Sequence, residues 1–397
     1  MAQKIATGID VGTYQVKVVI AERSDDPKQP PRILGTGYAE SRGLRHGYTV
    51  SVAEASRGIR AALAQASNAA RVKVKSAYIG VGGEGLDEAF SRGETVVERG
   101  DSEITERDMQ KALATSERAL SPSVVQNRKI LHRIPLRWSV DGTRVLGKNP
   151  VGMKGARLAV EALFITAPVR HVDDLVEAVE GAGVEVEDIV ASPLAASFVT
   201  LSKMQKRVGC VLANIGSETL SIAVFEDETP ISIKVFPMGS SNIGGDIALG
   251  LKIPLEEAEQ LKMGAVLGAP YSRRKLDDIV ARRITAMFKL VEGHLKKIGK
   301  DELLPAGIIL TGGGAGVTTM ADIVQAVVQL PARTASLATG DAGRMQLRDG
   351  SWAVAYGLTI WGLQPHGELE PREPGSVREA LGGTFGGFWK VIKKFLP

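Results

Sequence analysis

The sequence predicts an α/β fold of two similar half-domains around a shared cleft, with a small α+β insertion. Three observations carry this. A strand–turn–strand pattern at Thr7 to Ile20 recurs at Val208 to Phe225, with Asp10-Val11-Gly12-Thr13 and Asn214-Ile215-Gly216-Ser217 in matching places. A triple-glycine turn, Gly312-Gly313-Gly314, sits tightly between a strand and a helix. Between about residues 83 and 163 the texture shifts to glycines, charges and short strands around one amphipathic helix.

The elements follow in order. Thr7 to Ile20 reads as two β-branched strands joined by a tight turn. Gly8 and Gly12 lack a Cβ, so an anion can approach the backbone there. The turn amides and the Thr13 hydroxyl can donate to phosphate, and Asp10 can hold a metal ion directly or through water. An ordinary hairpin closed by an Asp–Gly turn reads the same residues as well. Arg32 to Glu40 is a third strand. Ser51 with Glu54 three residues on forms a capping box for an Ala-rich helix to Ser67. Ser76 to Gly82 is a buried strand. In the insertion, short strands at Gly93 to Arg99, Lys129 to Val140 and Thr143 to Leu146 accompany helix Thr105 to Leu120; His132 reads as structural. From Ala159 to Thr166 a strand returns. Helix Val169 to Ala182, strand Val184 to Ala191 and a helix opened by Ser192-Pro193 follow.

The second copy adds a strand at Ile231 to Pro237. Gly239 to Asp246 reads as a polar, glycine-rich loop leading into helix. Helices at Pro254 to Met263 and Ser272 to Lys297 follow, then strand Gly307 to Leu310, the glycine turn, and helix Thr319 to Val328. Side-chain-free backbone at the turn permits a flat ring to lie on the main chain.

Composition sets bounds. The 397 residues are 44% hydrophobic and 24% charged, as in soluble globular proteins of two or more domains. A net charge of +4 is too small to argue for nucleic-acid binding. One cysteine, Cys210, excludes an internal disulfide and points to the cytosol. No signal-peptide pattern is expected, and no stretch reaches the roughly 18 apolar residues of a spanning helix.

A first phosphate turn, a connecting helix at Pro193, a second phosphate turn, a glycine turn and a second connecting helix at Trp352 to Leu363 occur in that order. This order resembles the actin, Hsp70 and sugar-kinase superfamily, with its ribonuclease H-like half-domains in an actin-like ATPase fold. The insertion at 83–163 and a linker ending in a short amphipathic helix make the chain similar to the FtsA cell-division family. The resemblance implies subdomain 1A at 1–82 and 164–203, an SHS2-like subdomain 1C at 83–163, 2A at 204–241 and 305–364, and 2B at 242–304. It also implies ATP and Mg²⁺ as ligands. Gly8, Asp10, Gly12, Thr13 and Tyr14 would form the first phosphate site, Gly216 and Ser217 the facing one. Gly244 and Gly245 would line the nucleotide, Glu259 and Lys262 would bracket ribose and adenine, and Gly312, Gly313 and Gly314 would support the base. Asn214 replaces the superfamily's usual Asp, and Ser192 stands nearest the usual water-orienting Glu or Gln. With Asp10 they are the only catalytic candidates, so tight ATP binding with slow or absent turnover is expected.

The tail makes a separate case. Residues 365–383 read as a flexible linker. In 384–397, Phe385, Phe388, Trp389, Ile392, Phe395 and Leu396 share one helical face, and Lys390, Lys393 and Lys394 the other. This reads as an in-plane anchor on anionic lipid; docking on the protein itself or a partner is the alternative. The resemblance implies a polymerising adaptor at the cytoplasmic face of the inner membrane at the division septum. Its partners would be the FtsZ C-terminal tail, received near Arg282 and Arg283, further copies of itself, and later division proteins. A PilM-like pilus adaptor is the runner-up; a sugar kinase or Hsp70-type ATPase comes third.

Overall fold

The first hairpin forms as its β-branched residues require. In the computed structural model, which describes residues 4–24, 26, 29–98, 100–265, 271–339, 347 and 349–364, β1 (Ile5–Val11) and β2 (Gln15–Glu22) pair antiparallel with Asp10 opposite Lys17. β3 (Arg32–Glu40) adds to β2. The short strands β4 (Leu44–Arg45) and β5 (Tyr48–Thr49) form a small hairpin before α1 (Val52–Ala70). The Ser51 hydroxyl accepts the Glu54 amide at 3.4 Å, so the expected cap is present. β6 (Ser76–Val81) runs parallel to β1.

The insertion holds β7 (Asp87–Val96), α2 (Glu106–Arg118), α3 (Pro122–Val125), β8 (Arg128–Val140), β9 (Thr143–Arg144) and β10 (Arg157–Pro168). Its sheet order is β7-β10-β8-β9. This places Ala159 to Thr166 in the insertion's sheet, which runs past the boundary expected at residue 163. β10 pairs with β7 from Arg157 opposite Val96 to Thr166 opposite Asp87. The misplaced boundary has a physical cause. Leu158, Val160, Ala162 and Phe164 point into the insertion's core, while Leu163, Ile165 and Ala167 pack into the first half-domain. A strand buried on both faces loses its alternation.

α4 (Val169–Glu180), β11 (Glu185–Ala191) and α5 (Ser192–Thr200) complete the first half, whose sheet order is β11-β6-β1-β2-β3. A further helix, α6 (Lys203–Val208), precedes the second copy's first strand, which starts at Cys210 where Val208 was expected. Six residues are too few to show a period, but Ser202 and Gln205 form a reciprocal capping box at 3.2 and 2.8 Å.

The second half repeats the first. β12 (Cys210–Ile215), β13 (Leu220–Glu226) and β14 (Thr229–Phe236) are antiparallel neighbours. α7 (Ser240–Leu251), α8 (Leu255–Lys262) and α9 (Arg273–Lys297) precede β15 (Ile308–Thr311), α10 (Met320–Val328), β16 (Ala332–Thr334) and α11 (Ala353–Leu363). The order β14-β13-β12-β15-β16 has the same mix of antiparallel and parallel neighbours as the first sheet. The loop expected over Gly239 to Asp246 is helical from Ser240. Asn242 Oδ1 accepts the Gly239 amide at 2.9 Å, and the Ser240 and Ser241 amides donate to Gly216 O and Ser217 O at 2.9 and 2.8 Å. These acceptors satisfy the orphan donors of the first turn, which outweighs the low helix propensity of its glycines.

α11 seats on the first sheet through two glycines. A Cβ on Gly8 would meet Thr359 Oγ1 at 2.7 Å and crowd Ala355 O; one on Gly357 would lie 2.5 Å from Ala195 C. Gly357→Val should therefore cost about 3 kcal/mol or more by overpacking. Gly293, inside α9, is the counter-case, because a Cβ there would have nothing within 4 Å. Gly293→Ala should gain about 0.5–1 kcal/mol. Chemical denaturation of both variants checks the pair; equal midpoints would contradict the packing argument.

Candidate functional site

Both hairpin turns close the same way. The Gly12 amide donates to Gln15 O at 3.2 Å, and the Gly216 amide to Thr219 O at 2.8 Å. The segment 349–352 lies between the first hairpin and the Gly312 turn, which itself packs on Asn214 and Ile215 of the second hairpin. Gly350 O accepts the Gly312 amide at 3.2 Å and the Thr311 hydroxyl at 3.0 Å. On the other side, Lys17 lies 5.9 Å from the Trp352 ring and faces Asp10 and Asp349 electrostatically. Asp10, Lys17, Asp349, Gly312 and Asn214 thus form one run of neighbours between the two half-domains.

Asp10 is part-buried and closely surrounded, and burial pushes its carboxyl up to about 6, with Lys17 pulling the other way. Burial likewise lowers the Lys17 ammonium, which Asp10 and Asp349 then support. Lys17 was missed in the sequence because it alternates with valines in β2 like any solvent-facing strand residue. Among the described residues there is no group of three or more His, Cys, Asp or Glu fit to hold a metal. A Mg²⁺ ion here would rest on Asp10, with water and ligand oxygens for the rest of its shell. Mg²⁺ is commonly held that way, with one or two carboxylates and phosphate oxygens.

Several expected residues are placed differently from their reading. Gly8 does not face a ligand: its open side is filled by α11. In the glycine turn, Gly312 packs on Asn214 and Ile215, and Gly314 on Ile215 and Ser240. Only Gly313 keeps an open, exposed face, with Ser351 Cβ 3.9 Å from where its Cβ would be. Gly244 packs against Glu259, whereas Gly245 has nothing within 4 Å. Lys262 is buried, ion-paired with Glu259, and donates to Ser240 O at 3.1 Å. It clamps α8 onto the start of α7. Thr13 is part-buried, Tyr14 is exposed, and Ser217 is part-buried on the second turn. Ser192 Oγ lies against the Gly80 and Gly82 positions of the β6 end.

The basic helix α9 is tied down where a partner was expected. Arg283 makes two 2.7 Å bonds to Asp246 of α7, and that partner holds its guanidinium above the ordinary value. Arg282 is exposed and donates to Asp278 O of its own helix at 3.2 Å. An acidic peptide would meet Arg282 more readily than Arg283. The tail residues Phe385, Phe388, Trp389, Lys390, Ile392, Lys393, Lys394, Phe395 and Leu396 lie outside the described residues. Among the described residues no helix is long and apolar enough to cross a membrane.

Known proteins share this architecture. The family model described as "Cell division protein FtsA" matches residues 211–357, and "SHS2 domain inserted in FTSA" matches 89–166. The chain is 31% identical over 376 residues to cell division protein FtsA of Bacillus subtilis, covering 89% of this chain and 82% of that protein. It is 26% identical over 382 residues to FtsA of Pseudomonas aeruginosa, covering 91% and 90%. Among solved structures, a PilM–PilN type IV pilus biogenesis complex aligns with TM-score 0.67 at 17% identity, over 91% of this chain and 99% of that one. The ethanolamine utilization protein EutJ of Carboxydothermus hydrogenoformans aligns at 0.53, also at 17% identity, over 91% and 90%. These two likenesses share the actin-like fold.

The Asp10 environment generates a pH prediction. Its carboxyl titrates near 6 when folded and near 3.8 when unfolded, so burial costs the ligand-free fold on the order of 2–3 kcal/mol above pH 7. Because the folded value is the raised one, the cost fades as pH falls from 6 to 4. Asp10→Asn should melt higher than wild type at pH 8, and the gap should close towards pH 4. Thermal unfolding across that range is the check; a gap that widens at low pH would refute the assignment.

Proposed function

Since the chain belongs to the FtsA family of cell division proteins, we propose that it is an ATP-binding, peripheral-membrane adaptor that links FtsZ to the inner membrane. Its actin-like fold and inserted SHS2 domain are the family's. The observation that carries the nucleotide reading is that two matching hairpin turns, with Asp10 and Lys17 on one and Asn214 on the other, are linked through segment 349–352 and the Gly312 turn. Glycine-closed turns with free amides suit phosphate groups. Asp10 suits Mg²⁺, and Gly313 and Gly245 are the two glycines of the predicted set with room for a ligand against the backbone.

When bound, Mg²⁺ neutralises phosphate charge; the protein's own part is to bind and orient. Turnover is slow in this reading. Asn214 offers neither a base nor a negative oxygen, its Oδ1 lies against Gly312, and Ser192 is buried among the β6 glycines. The FtsZ tail would dock on the α7–α9 face near Arg282, other copies would meet the insertion, and residues 384–397 would hold anionic lipid. The PilM-type reading shares the fold, but its 17% identity stands below the 31% to FtsA, and it supplies no reason for the basic amphipathic tail.

Isothermal titration with ATP and Mg²⁺ tests the first half. Binding is expected, weakened about tenfold or more in Asp10→Ala and little changed in Ser192→Ala. Absence of heat with any adenine nucleotide, from folded protein, removes the nucleotide premise. Co-sedimentation with anionic vesicles tests the second half. The wild-type chain should pellet and carry FtsZ with it, and Trp389→Glu should lose both by putting a charge in the apolar face. A Trp389→Glu chain that still pellets would reject the anchor.

A further inference from the structure

The 41–50 segment starts beside the first turn, where the Ser41 amide donates to Tyr14 O at 3.0 Å. It then forms the β4–β5 hairpin, whose two loop residues, His46 and Gly47, both have left-handed φ, 48° and 82°. That is the backbone of the tightest hairpin turns. Such a loop leaves the amide of its first residue outside the ladder, as a donor in need of a partner. Its partner comes from the other half-domain: Glu218 Oε2 accepts the His46 amide at 2.6 Å, 172 residues away in the chain.

Both ends of this bond are firmly held. A Cβ on Gly47 would lie 2.5 Å from Gly83 Cα, so the hairpin is seated on the end of the first half-domain's sheet. Val50 and Ser51 amides both donate to Gly43 O, which ties the hairpin base to the cap of α1. Opposite, Glu218 follows Ser217 in the second turn. A Cβ on Gly239 would lie 2.7 Å from the Glu218 amide nitrogen, and α7 donates to Gly216 O and Ser217 O. Among the described residues no Lys or Arg forms an ion pair with Glu218. Its carboxylate is committed to a backbone amide across the cleft, in a short charge-assisted bond.

We propose that Glu218 is a positioning residue that latches the half-domains across the cleft and so sets how long a bound nucleotide stays. The residence-time part rests on the nucleotide reading above. A ligand seated on both turns leaves when they separate, and the latch opposes their separation at a point adjoining each. Glu218 is not itself a ligand-contacting group in this assignment; it acts through the turn that carries Ser217.

The test uses the full chain, Glu218→Ala and Glu218→Gln. One arm measures release of N-methylanthraniloyl-ATP with Mg²⁺ on chasing with unlabelled ATP. The other measures amide hydrogen exchange of residues 44–49 without nucleotide. Glu218→Ala should release the fluorescent nucleotide about two- to fivefold faster, the weight of one solvent-exposed hydrogen bond, and should exchange faster at 44–49. Glu218→Gln keeps an acceptor oxygen and should stay near wild type in both. Unchanged release and unchanged exchange in Glu218→Ala overturn the proposal. So does a Gln variant as impaired as Ala, which would make the residue a mere prop of its turn. A wild-type chain that takes up no fluorescent ATP overturns the nucleotide reading and the residence-time part together, while exchange at 44–49 still decides whether the latch exists.

Discussion

The close seat of α11 on β1 and α5 is the constraint on which the site depends. Gly8 admits Ala355 and Thr359, Gly357 admits Ala195, and the Thr359 hydroxyl donates to Val19 O at 3.2 Å. Together these contacts fix the helix in depth and rotation. Because segment 349–352 leads directly into α11, they also fix Asp349, Gly350 and Trp352. Those residues in turn touch both Lys17 and the Gly312 turn. A helix held one side chain further out would draw segment 349–352 away from both Lys17 and the Gly312 turn.

The electrostatics of the cleft fit a site built to receive countercharge. Asp10 and Lys17 face each other from opposite hairpin strands, and burial penalises the ionised form of each. A cation near Asp10 and anionic oxygens near Lys17 would relieve both penalties at once. The fold by itself accepts a local cost that a bound ligand of this kind would offset.

Much of the fold was legible because the repeat is written in turn chemistry. Gly12 and Gly216, each three residues before its acceptor, mark one unit used twice, and the sheets then match strand for strand. What misled was glycine and polarity out of context. Gly8 reads as room for an anion, yet a helix from the far end of the chain takes that room. Gly239 to Asp246 reads as loop because its composition is loop-like; carbonyls of the second turn, distant in sequence, make it helical. Lys262 and Arg283 read as cations facing a ligand and a partner, but Lys262 pairs with Glu259 one turn back in α8, and Arg283 with Asp246 of α7. The Asp246 partner is a tertiary fact that no local pattern carries, whereas the Glu259 pair is an i, i+3 contact within one helix.

The insertion belongs by chain to the first half-domain but is bonded to the second. Glu88 of β7 accepts the Ser232 hydroxyl at 3.0 Å and the Ile233 amide at 2.6 Å, and His294 Nε2 of α9 lies 2.7 Å from the same hydroxyl. Lys148, at the insertion's other end, donates to Asp227 O. The molecule therefore has the kinematics of a closed linkage, with three bodies each joined to the other two, in place of an open hinge. In such a linkage no two bodies move alone. A rotation of one half against the other would have to break these bonds or tilt the insertion with it, which would gear a displacement at the cleft into an angle some distance away.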